Sequence, residues 1–428
     1  MVNVHKILNI TTVLLISRCL PYPLHLGDRL ILYHLARELA ARGHIIDLIA
    51  FDDANTQPRE GLKRFAGATH TPPDTTPYRD FFRHIHILRE PKRTPINYLA
   101  RWSGLRPRFA QQAQQAWSPA MWQLIARLRR EHDYDIAHLF GGVQVYEYAP
   151  ALGDLPAIIT PYESYALYLR RNLAHASSNG LGTATPQQRL TRELRYQIAR
   201  GFERFMFTPY HAAVVVSDVD RAELLTINPS LDVRVIANGV DLSLFRHDNT
   251  ARQPHTLIFT GNYEYAPNVD AAQRLIHNIF PRVRAHFPNA HLWIVGNAPP
   301  PELQALESSH IQVTGRVPAI VPYLAQASVF VSPLRMGAGI KNKILEALAM
   351  GLPVVATSIS VDGIAVQDGH SALIADTDDA LAQAVIRVLS DADLQARLSD
   401  NGRALINARY TWTSVAAQYE ALYAETIA

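Results

Sequence analysis

The 428-residue sequence is informative first for what it has little of. It holds one cysteine, Cys19, so no intrachain disulfide framework exists. A reducing, cytoplasmic setting fits that usage better than an oxidising one. Charge is sparse and nearly balanced: 41 Lys and Arg against 38 Asp and Glu leave a formal net charge of +3. That balance does not call for nucleic acid as a partner. No window approaches the roughly 20 apolar residues that a spanning helix needs. The apolar stretch in "MVNVHKILNITTVLLISRCLPYP" is short even for a leader and precedes no small-residue cleavage pattern, so it reads as a first buried strand. No G-x-G-x-x-G follows that strand, and neither G-x-x-x-x-G-K-[ST] nor G-x-S-x-G occurs. These absences weigh against a dinucleotide dehydrogenase, a P-loop enzyme and an α/β-hydrolase. No metal set is expected either. His84 and His86 in "HIH" alternate along a strand, with no acidic company nearby in sequence.

What is present is alternation. Short apolar runs such as "TTVLLIS", "IIDLIAF", "IAHLF", "AIITPYES" and "AAVVVS" are separated by helical patterns such as "LGDRLILYHLARELAARGH". This βαβα order argues for a parallel sheet with helices on both faces. After Asn238-Gly239 the pattern restarts through the polar stretch "VDLSLFRHDNTARQPH". It continues with "TLIFTGN", a long helix over "NVDAAQRLIHNIFPRVRAHF", then "AHLWIVGN", "IQVTGRV", "VFVSPL" and "LPVVAT". With 48% hydrophobic residues, the length suits two domains of roughly 200 residues. We expect an α/β protein of two Rossmann-like, doubly wound parallel-sheet domains facing across a cleft. The first is expected over residues 1–238 and the second over 239–410, with a helix over 411–428 returning to the first.

Ligands of such sheets bind beyond the carboxyl ends of the strands, so the strand-to-helix loops are where chemistry is expected. The richest is "SPLRMGAGIKNKILEALAMGLPVVAT". Gly337, Ala338 and Gly339 leave room for a ligand against the backbone, and a helix N-terminus follows them. Arg335, Lys341 and Lys343 add positive charge, so a diphosphate is the natural occupant; a solvated glycine turn is the plainer reading. Glu346 could accept from a ribose diol, or could pair with a local lysine. Gly315, Arg316 and Val317 end a strand and could line a nucleobase, or form an ordinary turn. Gly261 and Asn262 follow "IFT", and Gly27 opens the first long helix. His138 and Glu163 lie at the ends of successive strands and could both reach a reacting sugar, although a strand-end histidine is often structural. The stretch from 79 to 130, rich in Arg with Tyr, Phe and Trp, could rest on an anionic membrane surface or be a solvated face over an aromatic core.

Taken together, "VRVIANGVDLSLF", "IFTGNYEYAPNVDAA", "VTGRVPAIVPYLAQASVFVSPLRMGAGIKNKILEALAMGLPVVAT" and "YTW" resemble family 4 glycosyltransferases. The resemblance covers nearly all of the chain from Ala212 onward and is looser before it. The form "PLRMGAGIKNKILEA" is most similar to sugar transferases of bacterial exopolysaccharide clusters. The resemblance implies the GT-B fold and a retaining enzyme that needs no tightly bound metal or other cofactor. Its substrate would be a UDP-, GDP- or ADP-sugar, and its acceptor a glycan or a lipid-linked sugar. By position it implies that Glu346 holds the ribose and that Gly315, Arg316 and Val317 line the base. Gly339 and its neighbours would face the donor sugar and phosphates, with Gly27 beside the diphosphate. His138, Glu163 and Lys343 are the residues expected at the reacting atoms.

The chain departs from the family pattern in three places. The first acid of E-x7-E falls on Ala338. The usual Arg after "FTG" is Asn262, with no Lys soon after. The usual second histidine of H-x-H is Phe140. Arg335, Lys341 or Lys343 is expected to neutralise the diphosphate instead. A nucleotide-sugar-binding scaffold, a GT-B epimerase and a phosphorylase are the rival readings. The expected place of work is the cytoplasm or the inner face of its membrane.

Overall fold

A computed structural model of the chain describes residues 10–24, 27–52, 73–178, 185–246, 251–337 and 339–428. Ala338 and the first nine residues therefore lie outside the described residues, as does part of the stretch expected as a linker. Among the described residues, two parallel sheets form. The first runs β3-β2-β1-β4-β5-β6-β7. Its strands are β1 (Thr12–Ser17), β2 (Ile45–Asp52), β3 (His84–Arg89), β4 (Ile136–Phe140), β5 (Ala157–Tyr162), β6 (Ala212–Val215) and β7 (Val233–Val235). The second runs β10-β9-β8-β11-β12-β13. Its strands are β8 (Thr256–Thr260), β9 (His291–Val295), β10 (Ile311–Val313), β11 (Val329–Ser332), β12 (Val354–Ala356) and β13 (Leu373–Ile374). The strand order reverses beside β1 and β4 in one sheet and beside β8 and β11 in the other, which is where crevices open in such folds.

Strand β1 shows why both faces are covered. Val13 and Leu15 join one apolar cluster, Leu14 and Ile16 another, and all four are buried. A strand buried on both faces needs an unbroken apolar run rather than alternation. Helix α1 (Gly27–Ala41) lays Ile31, Leu32, Leu35, Ala36 and Leu39 on the first face, a stripe at helical spacing. The last helix packs on the same face; its Trp412, Val415, Ala416, Tyr419 and Tyr423 are buried there. The Trp412 ring stacks on His34 of α1, with centroids 4.9 Å apart. The chain passes between the sheets twice, and the passages touch where the Val240 N–H donates to the Tyr410 carbonyl at 2.8 Å.

Helix α2 (Pro95–Trp102) crosses the later helix over Pro186–Met206, with Gly201 against the Trp102 ring. Further helices are α3 (Tyr165–Ser178), α4 (Pro186–Met206), α5 (Asp218–Ile227), α6 (Ala266–Arg274), α7 (Asn342–Ala349) and, at the end, α8 (Trp412–Ile427). The long helix expected after β8 is interrupted by a wider, π-type turn over Leu275–Ile279, where the Phe280 N–H reaches back to the Leu275 carbonyl. Pro281 follows and has no N–H to give, so the regular ladder cannot continue through it.

The basic stretch between 79 and 130 is only partly a surface. Arg101 is buried and pairs with the buried Glu147 at 2.6 Å, its guanidinium 4.2 Å from the Trp117 ring. Arg93 lies over Phe51 and Trp117 and pairs with Glu90 at 2.8 Å. Burying a cation requires such a partner, so two of these arginines serve packing.

Candidate active site

Strand β11 ends at Ser332, and the loop to α7 crosses the mouth of the second sheet. Gly337 and Gly339 take positive φ values of 125° and 65°, a region that L side chains enter only at a cost. Helix α7 begins at Asn342 with no side-chain cap and no acid in its first turn, so its N-terminal dipole is left for another anion. Lys341 is buried and donates to the Gly339 carbonyl. The Lys343 ammonium donates to Asn268 Oδ1 at 2.7 Å and stands 4.3 Å over the Phe259 ring. Glu346, one turn along α7, faces Lys343. Burial pushes Glu346 up to about 7 and Lys343 down to about 7, each opposed by the other's charge. Burial also lowers Lys341 to about 8. An arriving diphosphate would favour the charged form of both lysines.

Across the cleft, β5 ends in Tyr162, whose φ of 70° is unusual for a large side chain. Glu163 follows. Its Oε2 lies 3.0 Å from where a Cβ on Gly339 would stand, so the two loops touch. Burial and the nearby Asp220 push Glu163 up to about 7, against Lys341, Arg171 and Arg18. Ser164 and the start of α3 are tied down by two buried carboxylates. Asp220 accepts from the Ser164 N–H at 2.9 Å. Glu203 accepts from the Ser164 hydroxyl at 3.0 Å and from the Tyr165 N–H at 2.7 Å. A second bridge is Arg171 on α3, which donates to the Gly337 carbonyl at 2.7 Å and to Asp362 at 2.8 Å.

The remaining expected residues scatter. His138 is corrected: it is wholly buried, and its ring nitrogens are taken by Tyr423 Oη at 2.6 Å and Thr160 Oγ1 at 2.7 Å. It ties α8 to the first sheet and does not reach the cleft. Arg335 is also turned away from a free role, since Asp270 holds its guanidinium by two bonds, one at 3.0 Å. Gly261 serves close packing: its N–H donates to the Val295 carbonyl at 3.0 Å, and its own carbonyl presses on Gly296. The Asn262 carbonyl accepts from Asn268 Nδ2 at 2.8 Å, so Asn262, Asn268 and Lys343 form one chain of contacts. Gly315 has a φ of 64° with open space where a side chain would go; Arg316 is exposed, and Val317 rests on the second core. Gly27 likewise has open space beside it, at the start of α1.

Sequence reasoning missed Arg18, Arg171, Asp362 and Tyr265. Arg18 directly follows β1 and pairs with Asp28, and it has no motif of its own. It also missed an acid beside "HIH": Asp47, His84 and His132 bring ligand atoms within 4.8 Å of one another. Asp47 is already taken by Arg83 at 2.6 and 3.0 Å and by Tyr134 at 2.5 Å, so a guanidinium occupies the place of a cation.

Two Rossmann-like sheets with a cation-lined loop at the mouth of the second have the architecture of the GT-B fold. Residues 30–244 match the family model described as Glycosyltransferase Family 4, and residues 254–391 that of Glycosyl transferases group 1. The chain belongs to glycosyltransferase family 4. A phosphatidyl-myo-inositol mannosyltransferase of Mycolicibacterium smegmatis is 29% identical over 270 residues, covering 60% of this chain and 67% of the relative. Sucrose-phosphate synthase from Thermosynechococcus elongatus shares the fold with a TM-score of 0.67 at 18% identity, covering 97% of this chain and 98% of its own. The Anabaena protein HepE in complex with UDP and glucose shares it with a TM-score of 0.60 at 14% identity, covering 97% of this chain and all of its own.

Proposed function

We propose that this glycosyltransferase moves a sugar from a UDP-, GDP- or ADP-sugar to a glycan or lipid-linked acceptor, with retention at the anomeric carbon. The supporting observation is the contact between Glu163 and the loop after β11, where Arg171 and Lys341 also bind, with the Lys343–Glu346 pair following on α7. As the anomeric C–O bond breaks, negative charge collects on the departing diphosphate. Lys341, Lys343 and the α7 N-terminus are fixed where they can stabilise it, and fixed charges are worth most in a site closed to water. In a front-face process the departing phosphate oxygen takes the acceptor's proton while the new C–O bond forms on the same face. Those cations supply the neutralisation, so the reading needs no bound metal. Lys343 takes the part that an Arg after "FTG" would otherwise play, since Asn268 carries its ammonium toward Asn262.

The test is a thermal shift with UDP-, GDP- and ADP-sugars, because a ligand that binds only the folded state raises its stability. One donor should stand out, and Lys343→Ala and Glu346→Ala should each reduce that shift. Unchanged shifts in both variants would rule out this donor site.

Attachment to an anionic membrane, and a place in cell-surface polysaccharide synthesis, extend the same reading. No helix among the described residues is long and apolar enough to cross a membrane. Helices α2 and α4, which cross at Trp102 and Gly201, leave Ile96, Leu99, Leu190 and Leu194 exposed, as does Leu105 just beyond α2. Exposed Arg106, Arg108, Arg189 and Arg192 accompany them. Apolar side chains set among cations suit an anionic lipid interface. The protein should float with vesicles containing phosphatidylglycerol, and Leu99→Asp with Leu190→Asp should release it. Flotation equal to that on neutral vesicles would exclude the attachment.

A further inference from the structure

A row of tyrosines leads out of the cleft. Tyr265, just before α6, has its hydroxyl 3.5 Å from where a Cβ on Gly337 would stand. Its ring lies beside that of Tyr168 across the cleft, with centroids 6.5 Å apart and planes 21° from parallel. Tyr168 in turn neighbours Tyr165 at 6.0 Å and 17°. Tyr165 ends the row in solvent, 57% exposed. It follows Glu163 by two residues, and its N–H is held by the buried Glu203. The row therefore starts at the donor loop and runs outward on a fixed backbone.

We infer that Tyr265, Tyr168 and Tyr165 form a platform for an oligosaccharide acceptor. The reacting end would lie near Glu163 and Gly337, and a sugar further back along the chain on the open face of Tyr165. This rests on the donor-site reading above. A pyranose has an apolar face of C–H groups and a polar rim of hydroxyls. It matches a tyrosine, which offers a flat π face and a hydroxyl at its edge. An acyl chain has no use for that rim, and the leucines that suit one are on α2 and α4. Tyrosine also presents its area at little entropic cost, more so with its backbone tied down. Tyr168 follows the first sheet's β5 and Tyr265 the second sheet's β8, so their contact joins the two walls of the cleft.

Saturation-transfer NMR on the full chain tests this with mannotriose, cellotriose, maltotriose and myo-inositol phosphate. The wild-type protein should bind at least one trisaccharide. Tyr165→Ala should weaken that binding about fivefold or more, while Tyr165→Trp keeps it within about twofold. Neither variant should alter the donor-induced thermal shift, which reports on the donor site separately. Three results would each overturn the platform: no trisaccharide binds, only the inositol phosphate binds, or Tyr165→Ala binds as tightly as wild type.

Discussion

Two strand-to-helix loops meet across the cleft, and they hold their shapes by opposite means. The loop after β11 uses glycines: Gly337 and Gly339 reach positive φ without a Cβ to object. Cations stand beside it, and its helix begins uncapped. The loop after β5 puts a tyrosine at positive φ and then fastens the next residues with Asp220 and Glu203. A strained residue persists only where its surroundings over-determine it. One loop thus takes its shape from backbone without side chains, and the other from hydrogen bonds to buried carboxylates. The difference teaches that a cleft of two similar sheets need not have two similar walls.

The sharpest way to break that comparison is Gly339→Ala. Alanine at a φ of 65° is strained, and its Cβ would stand 3.0 Å from Glu163 Oε2, so one wall must yield. On the proposed function Glu163 stands at the reacting atoms, so displacing it should lower turnover on the order of tenfold or more. Adding Glu163→Asp, which withdraws the carboxylate, should make the pair non-additive. Additive losses in kcat/KM would show that the two walls act independently.

A smaller effect is expected at the rigid wall. Glu203→Ala leaves the Ser164 hydroxyl and the Tyr165 N–H without their acceptor. Loss of a buried acceptor costs about 1–3 kcal/mol, readable as a lower urea midpoint. A midpoint equal to wild type would mean that α3 does not depend on this carboxylate.

How much of this was legible depended on how local each feature is. Gly337, Gly339, Lys341, Lys343 and Glu346 all fall between the end of β11 and the middle of α7, so spacing alone drew them together. Both sheets followed from apolar runs that were too continuous to be half-exposed. Arg171 was not legible, because its partners Gly337 and Asp362 lie 166 and 191 residues away. His138 misled for the same reason. Strand alternation tells which face a side chain takes but not what covers that face. Here the cover is Tyr423, 285 residues on. Arg93 and Arg101 looked like surface charge because Glu147 and the Trp117 ring are remote in pattern, if not in space.

The gentlest probe of the rigid wall replaces Glu203 with glutamine and follows stability against pH. Burial pushes the Glu203 carboxyl up to about 8 from an ordinary 4.5, despite the donors around it. Between those values the native chain keeps a proton that the unfolded chain releases. Stability contributed by this group is therefore full below about 4.5 and is lost as pH rises toward 8. Glu203→Gln removes the titration while keeping an oxygen that accepts from the Tyr165 N–H. Its melting temperature should decline less than that of wild type across this window, with the two profiles closest in acid. The glycine-built wall offers the control. Lys343 is lowered to about 7 from 10.5, so its native form has shed a proton that the unfolded chain still holds, and its contribution rises with pH above about 7. Parallel profiles for wild type and Glu203→Gln between pH 4.5 and 8 would show that this carboxyl does not carry the slope.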